Sequence, residues 1–98
     1  MKIYLKKFGT TLSSRQAGRE AYGAIRPVLK SIKEDEMIEL DFGGVDIFTP
    51  SWGDEFLTAL IEQYSKDKIV LIDTKNLSVS TSLDMVDEVH SFKLKRIS

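Results

Sequence analysis

The sequence predicts an α/β domain in which three helices pack against three to four mostly parallel strands in a parallel or mixed sheet. Apolar residues alternate with polar ones in residues 1–8 and 37–42, which is typical of half-buried strands. A continuous apolar run within residues 68–73 indicates a strand covered on both faces. Strand and helix patterns alternate along the chain, and right-handed crossovers then make the strands parallel.

The N-terminal third predicts one strand and one helix. The segment MKIYLKKF (residues 1–8) predicts the strand, and GTTLSS predicts a turn. Ser13 or Ser14 is expected to cap a helix whose apolar residues recur at helical spacing. Pro27 lies within this pattern, where a proline costs about 3 kcal/mol. We expect one kinked helix, because Gly23 lies four residues earlier and relieves the clash of the proline ring.

The rest of the chain predicts two further helices and two further strands. Residues 37–42 predict the second strand, and the glycine-rich connection after it leads to a helix from Ser51 to about Ser65. Residues 68–73 predict the third strand, followed by a helix that carries His90 and then a short edge strand in residues 91–98. The predicted core residues are Ile38, Leu40, Phe56, Leu60, Val70 and Ile72.

Length and composition limit the function classes. The 98 residues fit a single domain, 1–98. A net charge of -1 shows no overall basic bias that would hold a nucleic-acid backbone, and the absence of cysteine excludes disulfides and thiol catalysis. No apolar run approaches the roughly 20 residues of a membrane-spanning helix, and the lysine-rich N-terminus differs from a signal peptide. We therefore expect a cytoplasmic protein that binds neither nucleic acid nor membranes.

Several polar residues are expected at the carboxyl edge of the sheet, where α/β domains bind ligands and partners. Arg15 begins the first helix, and Asp41, Asp54 and Glu55 are the anions predicted near it. A cation in the first turn of a helix opposes the helix dipole. Arg15 is therefore either a solvated surface residue or the partner of one of these carboxylates.

Ser51 and Trp52 have two interpretations each. Ser51, followed by Asp54 at the third helical position, resembles a helix-capping box, and capping alone explains a serine there. Alternatively, Ser51 is a phosphorylation site within a recognition surface. Trp52 either folds over the sheet edge or is exposed and anchors a partner.

The segment IELDFGGVDIFTPSWGDEF, residues 38–56, resembles the core of STAS domains, the fold of bacterial anti-sigma-factor antagonists. A STAS-like branch of this family is more similar, and its pattern runs through residues 8–57 in two blocks. The matching residues are Phe8, Gly9, Ser14, Arg15, Ala17, Leu40, Asp41, Phe42, Ser51, Trp52, Asp54 and Glu55. Two positions depart from the STAS motif, because Thr49-Pro50 replaces the aspartate before the serine and Trp52 replaces the glycine after it.

The resemblance implies a regulatory interaction module. It implies that Ser51 is the phosphorylated serine and that the partner is an ATPase of the histidine-kinase type. Partner-binding residues are then expected among Arg15, Asp41, Thr49, Trp52, Asp54 and Glu55.

The alternative function is a small-ligand or nucleotide-binding domain that uses the carboxyl edge of the sheet. The glycines at positions 43 and 44 do not form a dinucleotide fingerprint or a P-loop. An enzyme is not expected, because Ser51 has no identifiable base: His90, the only histidine, lies on the third predicted helix and is expected to be a half-buried helix residue. No cofactor is expected either, and no set of residues has metal-ligand spacing.

Overall fold

The computed structural model describes residues 1–91 and 93–97, and it confirms the predicted α/β fold. Three α-helices accompany a four-stranded sheet and a separate two-stranded sheet. The strands are β1 (Lys2–Tyr4), β2 (Thr11–Leu12), β3 (Ile38–Asp41), β4 (Ile47–Phe48), β5 (Ile69–Ile72) and β6 (Lys95–Ile97). The helices are α1 (Arg15–Leu29), α2 (Pro50–Tyr64) and α3 (Leu77–His90), with short 3-10 helices at Leu5–Phe8 and Lys66–Lys68.

The main sheet has the strand order β1-β3-β5-β6, and every pairing in it is parallel. Leu40 lies at its centre, opposite Ile3 on one side and Leu71 on the other. The predicted C-terminal edge strand is present as β6. Two residues of the predicted segment 91–98, Phe92 and Ser98, lie outside the described residues.

The first predicted strand is shorter than expected. It ends at Tyr4, and Leu5–Phe8 turns into a 3-10 helix that buries Leu5. The predicted turn after it contains β2, which pairs in parallel with β4 to form the small sheet. Thr11 and Leu12 are too few to produce an alternating pattern, and a two-residue strand therefore gave no signal in the sequence.

Helix α1 is one helix, as predicted, and it contains Pro27. Ser14 is its N-cap, since the Ser14 hydroxyl accepts a hydrogen bond from the Ala17 N–H at 3.1 Å. Helices α1 and α2 pack closely where Gly18 meets Trp52. A Cβ atom on Gly18 would lie 2.5 Å from the Trp52 carbonyl oxygen, so this contact requires glycine.

The core lies between the main sheet and the helices, and aromatic rings fill the part around α2. Of the six predicted core residues, only Ile72 is half-buried rather than buried. The Trp52 ring stacks on Phe56 at a centroid distance of 4.8 Å and meets Phe48 edge-on at 5.8 Å. In the part of the chain that is described, no helix has both the length and the apolar character needed to cross a membrane.

Candidate functional site

Helix α2 begins one residue earlier than predicted, and its cap is Thr49 rather than Ser51. Thr49 has an extended backbone, and its hydroxyl accepts the Trp52 N–H at 3.5 Å and donates to the Leu12 carbonyl at 3.3 Å. Pro50 occupies the first helical position, where its missing N–H costs nothing. Ser51 is therefore the second helical residue, and its side chain is exposed. The sequence feature that could have indicated this helix start is Pro50, because proline is favoured at the first helical position.

Trp52 is not an exposed anchor, because only 2% of it is accessible. The side chain follows the buried face of α2 and packs against Phe48 and Phe56. The prediction that Trp52 contacts a partner directly is therefore wrong for its ring. Its role is to hold the start of α2 against the core.

Arg15 pairs with two of the three carboxylates predicted near it. Its Nη1 lies 2.6 Å from Oδ2 of Asp54 and 3.5 Å from Oε1 of Glu55. Arg19, one turn further along α1, reaches the same Glu55 oxygen at 3.3 Å. These contacts join the N-terminal parts of α1 and α2 at the surface.

Asp41, the third predicted carboxylate, lies apart from this cluster. Its Oδ1 accepts the Gly43 N–H at 2.8 Å, and its Oδ2 lies 3.9 Å from Nζ of Lys2. The carboxylate therefore shapes the turn after β3. It is not among the groups around Arg15, for which it was one of three candidate partners.

The pairing shifts the acid–base behaviour of two groups. The hydrogen bond from Arg15, reinforced by His90 and Thr58, lowers the pKa of Asp54, although partial burial works in the opposite direction. The same hydrogen bond to Asp54 raises the pKa of Arg15. Both groups are therefore charged at neutral pH, and Asp54 is a carboxylate acceptor.

His90 lies on α3, as predicted, but it also makes a contact that the sequence interpretation did not include. As the last residue of α3, it brings its Nε2 into contact with Oδ1 of Asp54, and Thr58 Oγ1 lies 3.4 Å from the same nitrogen. Thr58 also donates a hydrogen bond to Asp54 at 3.2 Å. The end of α3 thus contacts the N-terminal half of α2. No sequence pattern indicates this contact, because it depends on how α3 crosses α2.

A small groove opens between the start of α2 and the end of α3, and we call it the α2–α3 groove. It encloses about 160 Å³. Two exposed apolar side chains, Met85 and Val89, line it on the α3 side, and the buried Val86 lies between the helices. The other lining residues are Arg15, Pro50, Ser51, Asp54 and His90. The groove therefore combines an apolar wall with Ser51 and a charged pair.

The described residues include no group of three or more His, Asp or Glu side chains placed to hold a metal ion. What the groove offers instead is a hydroxyl group, a guanidinium–carboxylate pair and exposed aliphatic surface. This combination is suited to binding a polypeptide side chain.

Comparison with known proteins agrees with this architecture. The family model of the STAS-like domain of unknown function (DUF4325) matches residues 25–80, which span β3, α2 and β5 and include Ser51 and Asp54. Comparisons with curated proteins and with solved structures gave no match. The match covers more than half of the chain, and the parallel sheet with three helices is that expected of a STAS-like fold, so the chain belongs to this family of STAS-like domains.

Proposed function

We propose that the domain is a non-enzymatic, regulatory protein-interaction module and that the α2–α3 groove is its partner-binding surface. The observation that carries this proposal is the apolar wall of the groove. Val89 is 76% exposed and Met85 is 50% exposed, and both lie beside Ser51 and Asp54. Adjacent exposed aliphatic side chains next to polar groups are typical of interaction sites, and methionine adapts its shape to different partners.

The size of the groove favours a protein partner over a small ligand. Pockets for drug-sized ligands or nucleotides enclose roughly 300–1,000 Å³. The α2–α3 groove, at about 160 Å³, is smaller than that range. A partner that inserts one side chain and covers the surrounding surface fits this volume better than a nucleotide does.

Ser51 is the proposed regulatory position. The side chain is exposed, lines the groove and belongs to the first turn of α2, where the helix dipole favours negative charge. A phosphate group adds about 1.5 to 2 negative charges at neutral pH. Burying that charge under a bound partner without compensation costs several kcal/mol, so phosphorylation would dissociate the complex.

The proposed partner is an ATPase of the histidine-kinase type, and the support for it is the resemblance of residues 8–57 to STAS-type regulators. Such a partner would both bind the groove and supply the phosphate. The domain itself contributes only the surface and the acceptor hydroxyl, which is why we propose that it is not an enzyme.

The test uses Val89→Glu and a matched control on the same helix. The domain is mixed with each histidine-kinase-like ATPase encoded in the same genome, and complexes are detected by size-exclusion chromatography. Val89→Glu should abolish the complex, whereas Leu77→Glu should retain it, because Leu77 is 78% exposed but does not line the groove. ATP should then add one phosphate to Ser51 and dissociate the wild-type complex.

Two results would contradict the proposal. If Val89→Glu binds as well as wild type, the groove is not the partner-binding surface. If ATP leaves the mass of the domain unchanged while the complex is intact, Ser51 is not the switch.

A further inference from the structure

We infer that the partner segment that enters the α2–α3 groove combines one large aliphatic side chain with an adjacent carboxylate, and that Arg15 binds this carboxylate. This inference rests on the proposed function and specifies the chemistry of the partner. It follows from the volume of the groove, from the unused donors of Arg15 and from the charges around them.

The volume sets the size of the anchor. Roughly 150 Å³ of apolar cavity is enough to hold a benzene molecule. The groove encloses about 160 Å³, and the side chains of Met85, Val86 and Val89 contribute to its lining. One leucine-sized or isoleucine-sized side chain therefore fills it.

Arg15 has hydrogen-bonding capacity left for a ligand. The contacts of its guanidinium with the described residues are made by Nη1, to Asp54 and Glu55. An arginine carries five N–H donors in a planar fork, so Nε and Nη2 can still bind a carboxylate in a bidentate manner. The side chain is 51% exposed and lines the groove, so a bound partner can reach it.

The charges in the cluster favour an anion over a cation. Arg15 and Arg19 share a single Glu55 oxygen, at 3.5 and 3.3 Å, and Asp54 is engaged by both Arg15 and His90. A partner carboxylate would add an acceptor for the remaining Nε and Nη2 donors of Arg15. A partner lysine or arginine at the same place would instead meet the Arg15 guanidinium, which repels it, while both nearby carboxylates are already paired.

The experiment selects short random peptides displayed on phage against the immobilised 98-residue chain, with Val89→Glu as the counter-selection. Peptides that depend on the groove should carry an aliphatic residue next to aspartate or glutamate. In one synthetic peptide of this kind, replacement of the acidic residue by its amide should weaken binding to the wild type by about tenfold. The same replacement should have little effect on Arg15→Gln.

Arg19→Gln is the matched control. Arg19 belongs to the same ion-pair cluster and is 68% exposed, but it does not line the groove. This variant should keep the full tenfold effect of the peptide carboxylate. The amide replacement is made in the peptide, so the test does not depend on the folding of the Arg15 variant.

The outcomes separate the inference from the proposed function. Groove-dependent peptides that carry no carboxylate, or a carboxylate effect that persists in Arg15→Gln, would overturn the inference and leave the groove as a binding surface. Failure to obtain any groove-dependent peptide would contradict both. Self-association of the wild type that Val89→Glu abolishes would identify a second copy of this chain as the occupant and would also overturn the inference.

Discussion

The guanidinium of Arg15 lies 2.6 Å from the carboxylate of Asp54, and this contact links the first residue of α1 to the fifth residue of α2 across 39 residues of sequence. An arginine in the first turn of a helix is unfavourable with respect to the helix dipole. The pair with Asp54 offsets this cost. It also places a cation at the entrance of the α2–α3 groove.

The first prediction concerns the pH dependence of this pair. Because the pKa of Asp54 is lowered in the folded state, its ionised form stabilises the fold above its unfolded pKa, and that contribution is lost as the pH falls through the folded pKa. Asp54→Asn should therefore lower the free energy of unfolding at pH 6 by about 1 kcal/mol or less, since the pair is partly exposed. The difference from wild type should shrink below about pH 4.

Urea denaturation between pH 6 and pH 3 measures this difference. The control is Asp35→Asn, which removes an exposed carboxylate in the loop before β3 and should change the free energy of unfolding at pH 6 by less than about 0.5 kcal/mol. A gap between Asp54→Asn and wild type that stays constant down to pH 3 would show that the carboxylate charge contributes nothing.

The second prediction distinguishes the two residues that could cap α2. Thr49→Ala should destabilise the protein by about 1 kcal/mol, because the Trp52 N–H loses its acceptor. Ser51→Ala should change stability by less than about 0.5 kcal/mol, since Ser51 is an exposed residue inside the helix. Thermal unfolding of both variants measures the difference. An equal loss of stability in the two variants would indicate that Ser51 also caps the helix.

The third prediction compares two glycines of α1. Gly18→Ala should destabilise by about 1–3 kcal/mol, because the new methyl group would lie 2.5 Å from the backbone oxygen of Trp52 and the helices would have to separate. Gly23→Ala should instead stabilise by about 0.5–1 kcal/mol, since no atom outside its own helix lies within 4 Å of that position. Chemical denaturation of the pair tests the contact, and a neutral Gly18→Ala would mean that α1 and α2 pack less closely than described.

The sequence predicted the parts of the fold in which a pattern extends over several residues. The alternation in residues 37–42 and the continuous apolar run before Asp73 both correspond to strands of the main sheet. The small sheet was missed because β2 and β4 have two residues each and depend on their mutual hydrogen bonds. Such strands are determined by the tertiary structure and leave almost no periodicity in the sequence.

The candidate site was predictable only in part, for a similar reason. The parallel topology placed the start of α1 near the start of α2, so the contacts of Arg15 with Asp54 and Glu55 could be anticipated. The contact of His90 with Asp54 depends on how α3 crosses α2, and helix spacing does not encode that angle. The groove therefore became visible only with the structure, together with its α3 wall.

The pairing of the acidic residues also changes the electrostatics expected around Ser51. From the sequence, Asp54 and Glu55 should each repel a phosphate on Ser51, by roughly 3 kcal/mol per unit of phosphate charge at about 6 Å and an effective dielectric constant near 20. In the structure both carboxylates are bound by Arg15, and Arg19 also binds Glu55. The two arginines neutralise the two carboxylates, so the repulsion should be largely cancelled.

The last prediction is that a negative charge at Ser51 leaves the fold intact and abolishes binding. Ser51→Asp places a carboxylate at the second position of α2, where the helix dipole should contribute about 0.3–1 kcal/mol of stability. Binding of the proposed ATPase partner should weaken by at least a hundredfold, because covering an unpaired charge costs several kcal/mol and each 1.4 kcal/mol is tenfold. Calorimetric titration measures the effect on binding, and thermal unfolding of the same variant measures the effect on stability.

The control is Ser13→Asp, which changes an exposed serine outside the groove and should bind like wild type. If Ser51→Asp binds normally, the charge at this position does not control the complex, and Ser51 is an ordinary surface residue of α2.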